Sequence, residues 1–142
     1  MNTFEFIPAL CSGCGACVSA CMDAHGDFSM PPRRVVRSDE QPRGGTVFIT
    51  WYSEACVHCE QHPCVSACPK GCFALDAETG LVLPDSTACI GCRRCEKVCG
   101  YNAVRFTPDG KMKKCDGCID RRRAGLAPRC VSACPQGAIR VR

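Results

Sequence analysis

Cysteine supplies most of the residues in this chain that could do chemistry. Seventeen of the 142 residues are cysteine, and all but one of them fall into four short runs. In chain order the runs are Cys11-x2-Cys14-x2-Cys17-x3-Cys21, Cys56-x2-Cys59-x4-Cys64-x3-Cys68, Cys89-x2-Cys92-x2-Cys95-x3-Cys99 and Cys115-x2-Cys118-x11-Cys130-x3-Cys134. Thiolates are strong metal ligands, and closely spaced thiols on one loop can reach a common metal centre. The runs therefore indicate metal binding.

The spacing within each run favours iron–sulfur clusters. Three thiolates on one tight loop can bind three irons of a cubane, whereas a fourth, about one helical turn later, points away from that loop. In bacterial ferredoxins with the spacing C-x2-C-x2-C-x3-C, this fourth cysteine binds the other cluster of a pair. The first and third runs match that spacing, and the other two keep its first pair and its x3 ending. The sequence therefore predicts four [4Fe–4S] clusters.

Two other uses of the cysteines compete with this one. Disulfide scaffolds are typical of short secreted chains rich in cysteine, but Met1–Leu10 holds no apolar signal segment, the cysteine number is odd and the close spacings suit bridging poorly. Cys115, Cys118, Cys130 and Cys134 alone have the spacing of a tetrahedral zinc site. The first and third runs leave no loop of that length. A zinc-stabilised interaction module is the alternative from another functional class.

The charge balance argues against nucleic-acid binding. The formal net charge is +4, but a cubane held by four thiolates carries about −2, so four of them bring the loaded protein to about −4. No aromatic residues interleave the basic residues Lys111, Lys113, Lys114 and Arg121–Arg123 to stack on bases. We interpret Arg121–Arg123 as a solvated face of a helix or loop, and the functional alternative is a surface on which a partner docks.

Hydropathy and cysteine usage indicate where the chain works. No stretch approaches the roughly 18 apolar residues of a membrane span. Free thiols and an oxidation-sensitive cofactor fit a reducing compartment, so we predict the cytoplasm. The alternative is export together with a partner that carries the signal.

An internal repeat predicts the local structure around three of the runs. The segments Cys68-Pro69-Lys70-Gly71-Cys72-Phe73, Cys99-Gly100-Tyr101-Asn102-Ala103-Val104 and Cys134-Pro135-Gln136-Gly137-Ala138-Ile139 share one pattern. Each predicts a short helix stopped by Pro or Gly, then a turn, then the start of a strand. Further strands are predicted at Thr3–Ile7 and Thr46–Trp51, and a hairpin at Phe73–Asp76 and Leu81–Leu83.

These elements predict an α+β fold of two interlocked ferredoxin-like units with small antiparallel sheets. Residues 46–107, with the second and third runs, form an inserted unit. Residues 1–45 and 108–142, with the first and fourth runs, form an outer unit that the insertion interrupts. Residues 22–45 are rich in Pro and Gly and predict a long connection, with at most a short edge strand at Arg33–Arg37.

The chain resembles the four-cluster electron-transfer subunits of the dimethyl sulfoxide reductase family of molybdopterin oxidoreductases. The resemblance covers nearly all of the chain and is most specific at Cys56-Val57-His58-Cys59-Glu60-Gln61-His62-Pro63-Cys64, Cys89-Ile90-Gly91-Cys92-Arg93-Arg94-Cys95 and Lys114-Cys115-Asp116-Gly117-Cys118-Ile119-Asp120-Arg121. It implies a non-catalytic subunit that passes single electrons from or to a molybdopterin-type catalytic subunit. A further redox or membrane-anchor subunit is the second partner. A free polyferredoxin or a hydrogenase-linked subunit is the alternative.

The resemblance also implies how the sixteen cysteines are shared among the clusters. The first run pairs with the fourth and the second with the third, and each lends its last cysteine to its partner. The implied sets are Cys11, Cys14, Cys17 and Cys134; Cys115, Cys118, Cys130 and Cys21; Cys56, Cys59, Cys64 and Cys99; and Cys89, Cys92, Cys95 and Cys68. All sixteen positions are cysteine, so nothing indicates the [3Fe–4S] cluster of some relatives.

Three further residues are candidates for a role at the clusters. Cys72, the cysteine outside the sets, stands where the repeat has Ala103 and Ala138, and free cysteine packs as a small hydrophobic residue, so we interpret it as a packing residue. His58 and His62 lie within the second run and could replace a cysteine ligand. With four cysteines for each cluster, we expect them to be loop residues that tune a potential or have no role.

Overall fold

The computed structural model describes residues 3–142 and is built from short helices and two-stranded antiparallel sheets. The strands are β1 Phe4–Phe6, β2 Val35–Arg43, β3 Thr46–Glu54, β4 Phe73–Leu75, β5 Val82–Pro84, β6 Arg105–Phe106, β7 Met112–Lys113 and β8 Ile139–Val141. The helices are α1 Ala16–His25, α2 Pro63–Ala67, α3 Arg94–Val98, α4 Ile119–Arg123 and α5 Arg129–Ala133, and Pro8–Leu10 form a 3₁₀ turn. The predicted α+β class with small antiparallel sheets is confirmed.

One sheet joins two segments far apart in sequence. β1 pairs with β8 in the register Phe4↔Val141, Glu5↔Arg140 and Phe6↔Ile139. Beneath this sheet Phe4 and Ile139 form a small buried cluster with Cys17 of α1 and Cys130 of α5, and α1 packs against α5. The first and fourth cysteine runs therefore lie on one body of packed structure.

A second packed body holds the second and third runs. β4 pairs with β5, and β6 with β7. Phe73, Val82, Val104, Phe106 and Met112 form its buried core, and α2 packs against α3. The predicted hairpin at Phe73–Asp76 and Leu81–Leu83 is confirmed, with β5 one residue later than expected.

The long connection predicted for residues 22–45 is wrong over its second half. β2 and β3 form a nine-residue antiparallel hairpin from Val35↔Glu54 to Arg43↔Thr46. Gly44 and Gly45, both with positive φ (55° and 83°), supply the two-residue turn that such hairpins need. Pro42 is tolerated because a two-stranded sheet consists of edge strands, in which a residue without an N–H need not break a ladder bond. β3 therefore pairs with β2 and not with the strands of the second body.

The helix lengths follow from the residues at their ends. α1 spans ten residues, beginning after Gly15 and ending at Gly26, both in the left-handed region. α2, α3 and α5 each have only five residues, and Pro69, Gly100 and Pro135 follow their last cysteine, as predicted. Among residues 3–142, no helix has the length and apolar character needed to cross a membrane.

Candidate metal centres

Three cavities each bring together a set of four cysteines, in which three come from one run and the fourth is the last cysteine of another. The first cavity is lined by Cys11, Cys14, Cys17 and Cys134. The second, of about 180 Å³, is lined by Cys56, Cys59, Cys64 and Cys99. The third is lined by Cys68, Cys89, Cys92 and Cys95, with Cys72 as a fifth cysteine outside the predicted set. The fold thus brings together twelve of the sixteen cysteines in the groups that the resemblance implied.

Three of the remaining four cysteines, Cys21, Cys118 and Cys130, come close to one another where α1 approaches the fourth run. Cys115 and Cys130 are buried, as is Cys21, which lies on α1 one turn beyond Cys17. Burial raises the pKa of the Cys130 thiol, and the nearby thiols of Cys118 and Cys21 raise it further, whereas Arg34 opposes the shift. The packing of α1 against α5 thus brings Cys21, Cys118 and Cys130 close to one another.

A repeated turn aims a backbone N–H at the first cysteine of three runs. The N–H groups of His58, Gly91 and Gly117 donate to the Sγ atoms two residues earlier, at 3.4, 3.4 and 3.2 Å. These residues have φ values of 51°, 68° and 72°. A residue in this region turns its amide back toward the preceding side chain, which makes a concave site for negative charge.

A second repeated turn serves the last cysteine of three runs. The amides of Cys72, Ala103 and Ala138 donate to the Sγ atoms four residues earlier, at 3.3, 3.4 and 3.3 Å. The residue before each of them has a positive φ, which leads the amide to the sulfur. Such N–H bonds stabilise a thiolate, which is the metal-binding form of cysteine.

Cys72 occupies the same buried slot as Ala103 and Ala138. The three residues are 3%, 1% and 1% exposed. Burial raises the pKa of the Cys72 thiol to about 12, and its contact with Cys68 and Cys89 adds to the shift. The packing interpretation therefore fits, although the thiol also lines the third cavity.

The donor sets fit iron–sulfur clusters. Burial raises the pKa of the Cys64 and Cys95 thiols to about 11, so thiolates at these positions need a compensating cation. A metal replaces the protons and supplies that charge. Four sulfur donors at each site, with amides already directed at six of the Sγ atoms, suit a cubane bound by four cysteines.

His58 is a buried structural residue. Its Nδ1 accepts the Val82 N–H at 3.0 Å, and its ring packs on Phe4 with centroids 5.8 Å apart. Burial lowers the pKa of His58 to about 3, and the charge of Lys114 acts in the same direction. Its Nε2 has no hydrogen-bond partner among residues 3–142. His62 lies just before α2, with φ 30°.

An ion pair beside the fourth set was not predicted. His25 Nε2 donates to Asp116 Oδ1 at 2.9 Å, and His25 Nδ1 donates to the Cys21 carbonyl at 2.8 Å. The hydrogen bond with Asp116 raises the pKa of His25 to about 10. Burial acts to raise the pKa of Asp116, but the hydrogen bond and charge of His25, the Cys118 N–H and the charge of Arg33 together outweigh it, and the pKa falls to about 2. His25 follows Cys21 by one helical turn, and this spacing was the sequence signal that could have placed His25 beside the fourth set.

The three arginines of α4 are not a uniformly solvated face. Arg123 pairs with Asp76 at 2.9 Å, Arg121 donates to the Ala127 carbonyl at 2.9 Å, and one terminal nitrogen of Arg122 is buried. The interpretation of Arg121–Arg123 as a solvated face holds for Arg123, which is half exposed, and for the surface hydrogen bond of Arg121, but not for the buried nitrogen of Arg122.

Comparison with known proteins finds relatives that match most of this chain. The B subunit of the anaerobic dimethyl sulfoxide reductase of Escherichia coli (strain K12) is 38% identical over 139 residues, which cover 91% of this chain and 67% of that protein. The thiosulfate reductase electron transfer subunit PhsB of Salmonella typhi is 38% identical over 135 residues, covering 92% of this chain and 69% of that one. Protein NrfC of Escherichia coli (strain K12) is 35% identical over 134 residues, covering 92% and 60%.

Two family models account for all four cysteine runs between them. A model described as a 4Fe-4S dicluster domain matches residues 47–142, and a second with the same description matches residues 10–72. The expectation of iron–sulfur clusters and of an electron-transfer role is confirmed. With sulfur donors grouped as such clusters require and relatives alike over most of its length, the chain belongs to the 4Fe-4S dicluster family of electron-transfer proteins.

Proposed function

We propose that this chain is the electron-transfer subunit of a molybdopterin-type oxidoreductase, in which it carries four [4Fe–4S] clusters. It passes single electrons between the catalytic subunit and another redox partner, such as a membrane-anchor subunit. The observation that carries the proposal is the crossed grouping of cysteines, in which a run contributes three ligands to one site and its last cysteine to another. The chain supplies no substrate chemistry of its own.

The ligand sets of the proposal follow the cavities. One site takes Cys11, Cys14, Cys17 and Cys134, and a second takes Cys56, Cys59, Cys64 and Cys99. A third takes Cys89, Cys92, Cys95 and Cys68, and a fourth takes Cys115, Cys118, Cys130 and Cys21. We assign residues 46–107 to the inserted unit and residues 1–45 with 108–142 to the outer unit, although β3 pairs with β2 of the outer range and β7 pairs with β6 of the inserted range.

The short helices set the separation between sites. Cys17 and Cys21 both lie on α1 but belong to different sets. They are four residues apart, a rise of about 6 Å along the helix. Cys64 and Cys68, on α2 and at its end, are arranged in the same way. In each pair of sites, one helical turn of the chain therefore connects a ligand of one site to a ligand of the other, which keeps the two redox centres close.

The residues around the sites have a definite chemical task. A bound cubane supplies one-electron exchange. The amides directed at the Sγ atoms stabilise thiolate charge, and burial of Cys17, Cys64, Cys95 and Cys130 keeps water from these ligands. Because the free thiols and the clusters need protection from oxidants, we place the chain in the cytoplasm, with export beside a partner as the alternative.

Ligand variants test the crossed grouping. We expect Cys21→Ser to perturb the cluster of Cys115, Cys118 and Cys130, and Cys134→Ser to perturb the cluster of Cys11, Cys14 and Cys17. Cys72→Ala is the matched control and should retain about sixteen irons per chain. Iron analysis and electron paramagnetic resonance of the anaerobically purified protein measure the outcome. A full cluster held by each run alone would contradict the proposal, as would a colourless protein that binds zinc.

Affinity purification tests the role as a subunit. We expect the tagged chain, purified anaerobically from its native host, to bring down a molybdenum-containing subunit. The isolated chain should accept electrons from a chemical reductant but turn over no small substrate. Turnover by the chain alone, free of other subunits, would show that it is an enzyme.

A further inference from the structure

Lys114 is a buried cation with no carboxylate beside its ammonium among the described contacts. It is 1% exposed. Its Nζ donates to the carbonyl oxygens of Val82 at 2.7 Å and of Cys115 at 2.6 Å. Buried charges are ordinarily paired with an opposite charge. Two carbonyl dipoles orient the ammonium, but they leave its positive charge unneutralised.

The position of Lys114 puts that charge at the boundary between the two proposed units. Its side chain lines the cavity of Cys56, Cys59, Cys64 and Cys99. Its backbone directly precedes Cys115, the first cysteine of the fourth run. The contact of Gly117 with Leu81 closes the same boundary, since a Cβ on Gly117 would lie 2.7 Å from Leu81 Cδ2. One cation therefore adjoins one site of each unit.

We propose that the ammonium of Lys114 raises the reduction potentials of two clusters, one on each side of the boundary between the units. These boundary sites are the site that contains Cys99 and the site that contains Cys21. The inference rests on the function proposed above, which places a cluster in each set. When one electron arrives from a redox partner, the receiving site gains one negative charge and the donor loses one. A fixed positive charge favours the more negative state, and burial prevents solvent from screening it.

Lys113, the last residue of β7 and the neighbour of Lys114, serves as the control. It is also buried, but its Nζ pairs with Asp27 at 2.9 Å. It also donates to the Ser29 carbonyl at 2.9 Å. The charge of Lys113 is thus paired locally, and its side chain lies in a cavity that Lys114 also lines but that no cysteine lines. Removing the charge of Lys113 should therefore shift the cluster potentials less than removing the charge of Lys114.

The test is a redox titration of the holoprotein followed by electron paramagnetic resonance. The variants are Lys114→Met and Lys114→Gln, which lose the charge, Lys114→Arg, which keeps it, and the control Lys113→Met. Signals are assigned to sites with Cys99→Ser and Cys21→Ser. In both uncharged variants we expect the two boundary sites to become at least tenfold harder to reduce, a shift of about 59 mV for one electron. The other two sites should shift less, Lys114→Arg should keep the wild-type potentials, and Lys113→Met should shift the boundary sites by less than Lys114→Met does.

The outcomes separate this inference from the proposed function. Unchanged boundary potentials in Lys114→Met and Lys114→Gln, at full iron content, overturn the inference and leave the four-cluster function intact. An equal shift at all four sites also overturns it. If the uncharged variants lose iron from the two boundary sites while Lys114→Arg retains it, the assignment of the charge is supported. Iron loss in all three, Arg included, overturns it, because shape and not charge then matters. A wild-type chain without iron would instead contradict the proposed function.

Discussion

Gly117 is a position at which a single added methyl group should destabilise the protein strongly. Its φ is +72°, and an added Cβ would lie 2.7 and 2.8 Å from the two terminal carbons of Leu81. An L-residue in the left-handed region costs about 1–2 kcal/mol, and overpacking a well-packed core costs about 1–3 kcal/mol. We therefore expect Gly117→Ala to destabilise the protein by about 2–5 kcal/mol.

Gly125 separates the two contributions. It has nearly the same φ, +74°, but an added Cβ there would meet nothing within 4 Å. Gly125→Ala should therefore cost only the backbone strain, about 1–2 kcal/mol. The contact with Leu81 accounts for the difference between the variants, about 1–3 kcal/mol, which is about five- to 150-fold in a rate that reports it fully.

The assay is the rate at which the visible cluster absorption disappears in guanidinium under anaerobic conditions. Gly117→Ala should lose its colour faster than Gly125→Ala by that factor. In a Leu81→Ala background the clashing carbons are gone, so the added effect of Gly117→Ala should fall to that of Gly125→Ala. Equal effects of Gly117→Ala with and without Leu81 would refute the reasoning, since the close approach would then not limit stability.

Three further changes have distinct expected outcomes. Cys72→Ala should retain all four clusters and their potentials and change stability by about 1 kcal/mol or less, because Ala fills the same slot elsewhere in the repeat; iron analysis and a redox titration check this. Asp116→Asn should lower the pKa of His25 from about 10 toward its ordinary value, measured by proton NMR, and loosen the hold of α1 on the fourth run. Removal of iron by a chelator should unfold most of the chain, seen as loss of circular dichroism, because small cores of this size need their metal.

Much of the site could be predicted from the sequence, because cysteine spacing reports directly on local loop geometry. The runs, the short helices and the β4–β5 hairpin depend on residues close in sequence, such as Pro69 and Gly71 after Cys68. The ion pair of His25 and Asp116 could not be predicted in the same way. Its members are 91 positions apart, and only the packing of α1 brings them together.

The β2–β3 hairpin shows where composition is a poor guide to structure. Pro42, Gly44 and Gly45 are residues typical of a linker, and on composition alone they predict one. Two consecutive glycines are also a strong signal for a two-residue hairpin turn, and here they connect strands in register over nine pairs. The exposed Val47, Phe48 and Ile49 near its tip give no burial pattern of the kind that usually marks a strand. Turn chemistry predicts this hairpin better than residue composition does.

The pairing of β1 with β8 has a consequence for the order of biosynthesis. Phe6 can pair in the sheet only after the ribosome has added its partner Ile139. That addition comes about 7–27 s later at ordinary elongation rates. The cavity of the first run is likewise complete only when Cys134 has joined Cys11, Cys14 and Cys17. The cavity of Cys56, Cys59 and Cys64 needs only Cys99, which is synthesised much sooner. In the proposed ligand sets, the interior site can thus be completed on the nascent chain before the site of Cys11, Cys14 and Cys17 gains its fourth cysteine, Cys134. Iron delivery to the first run therefore follows iron delivery to the second.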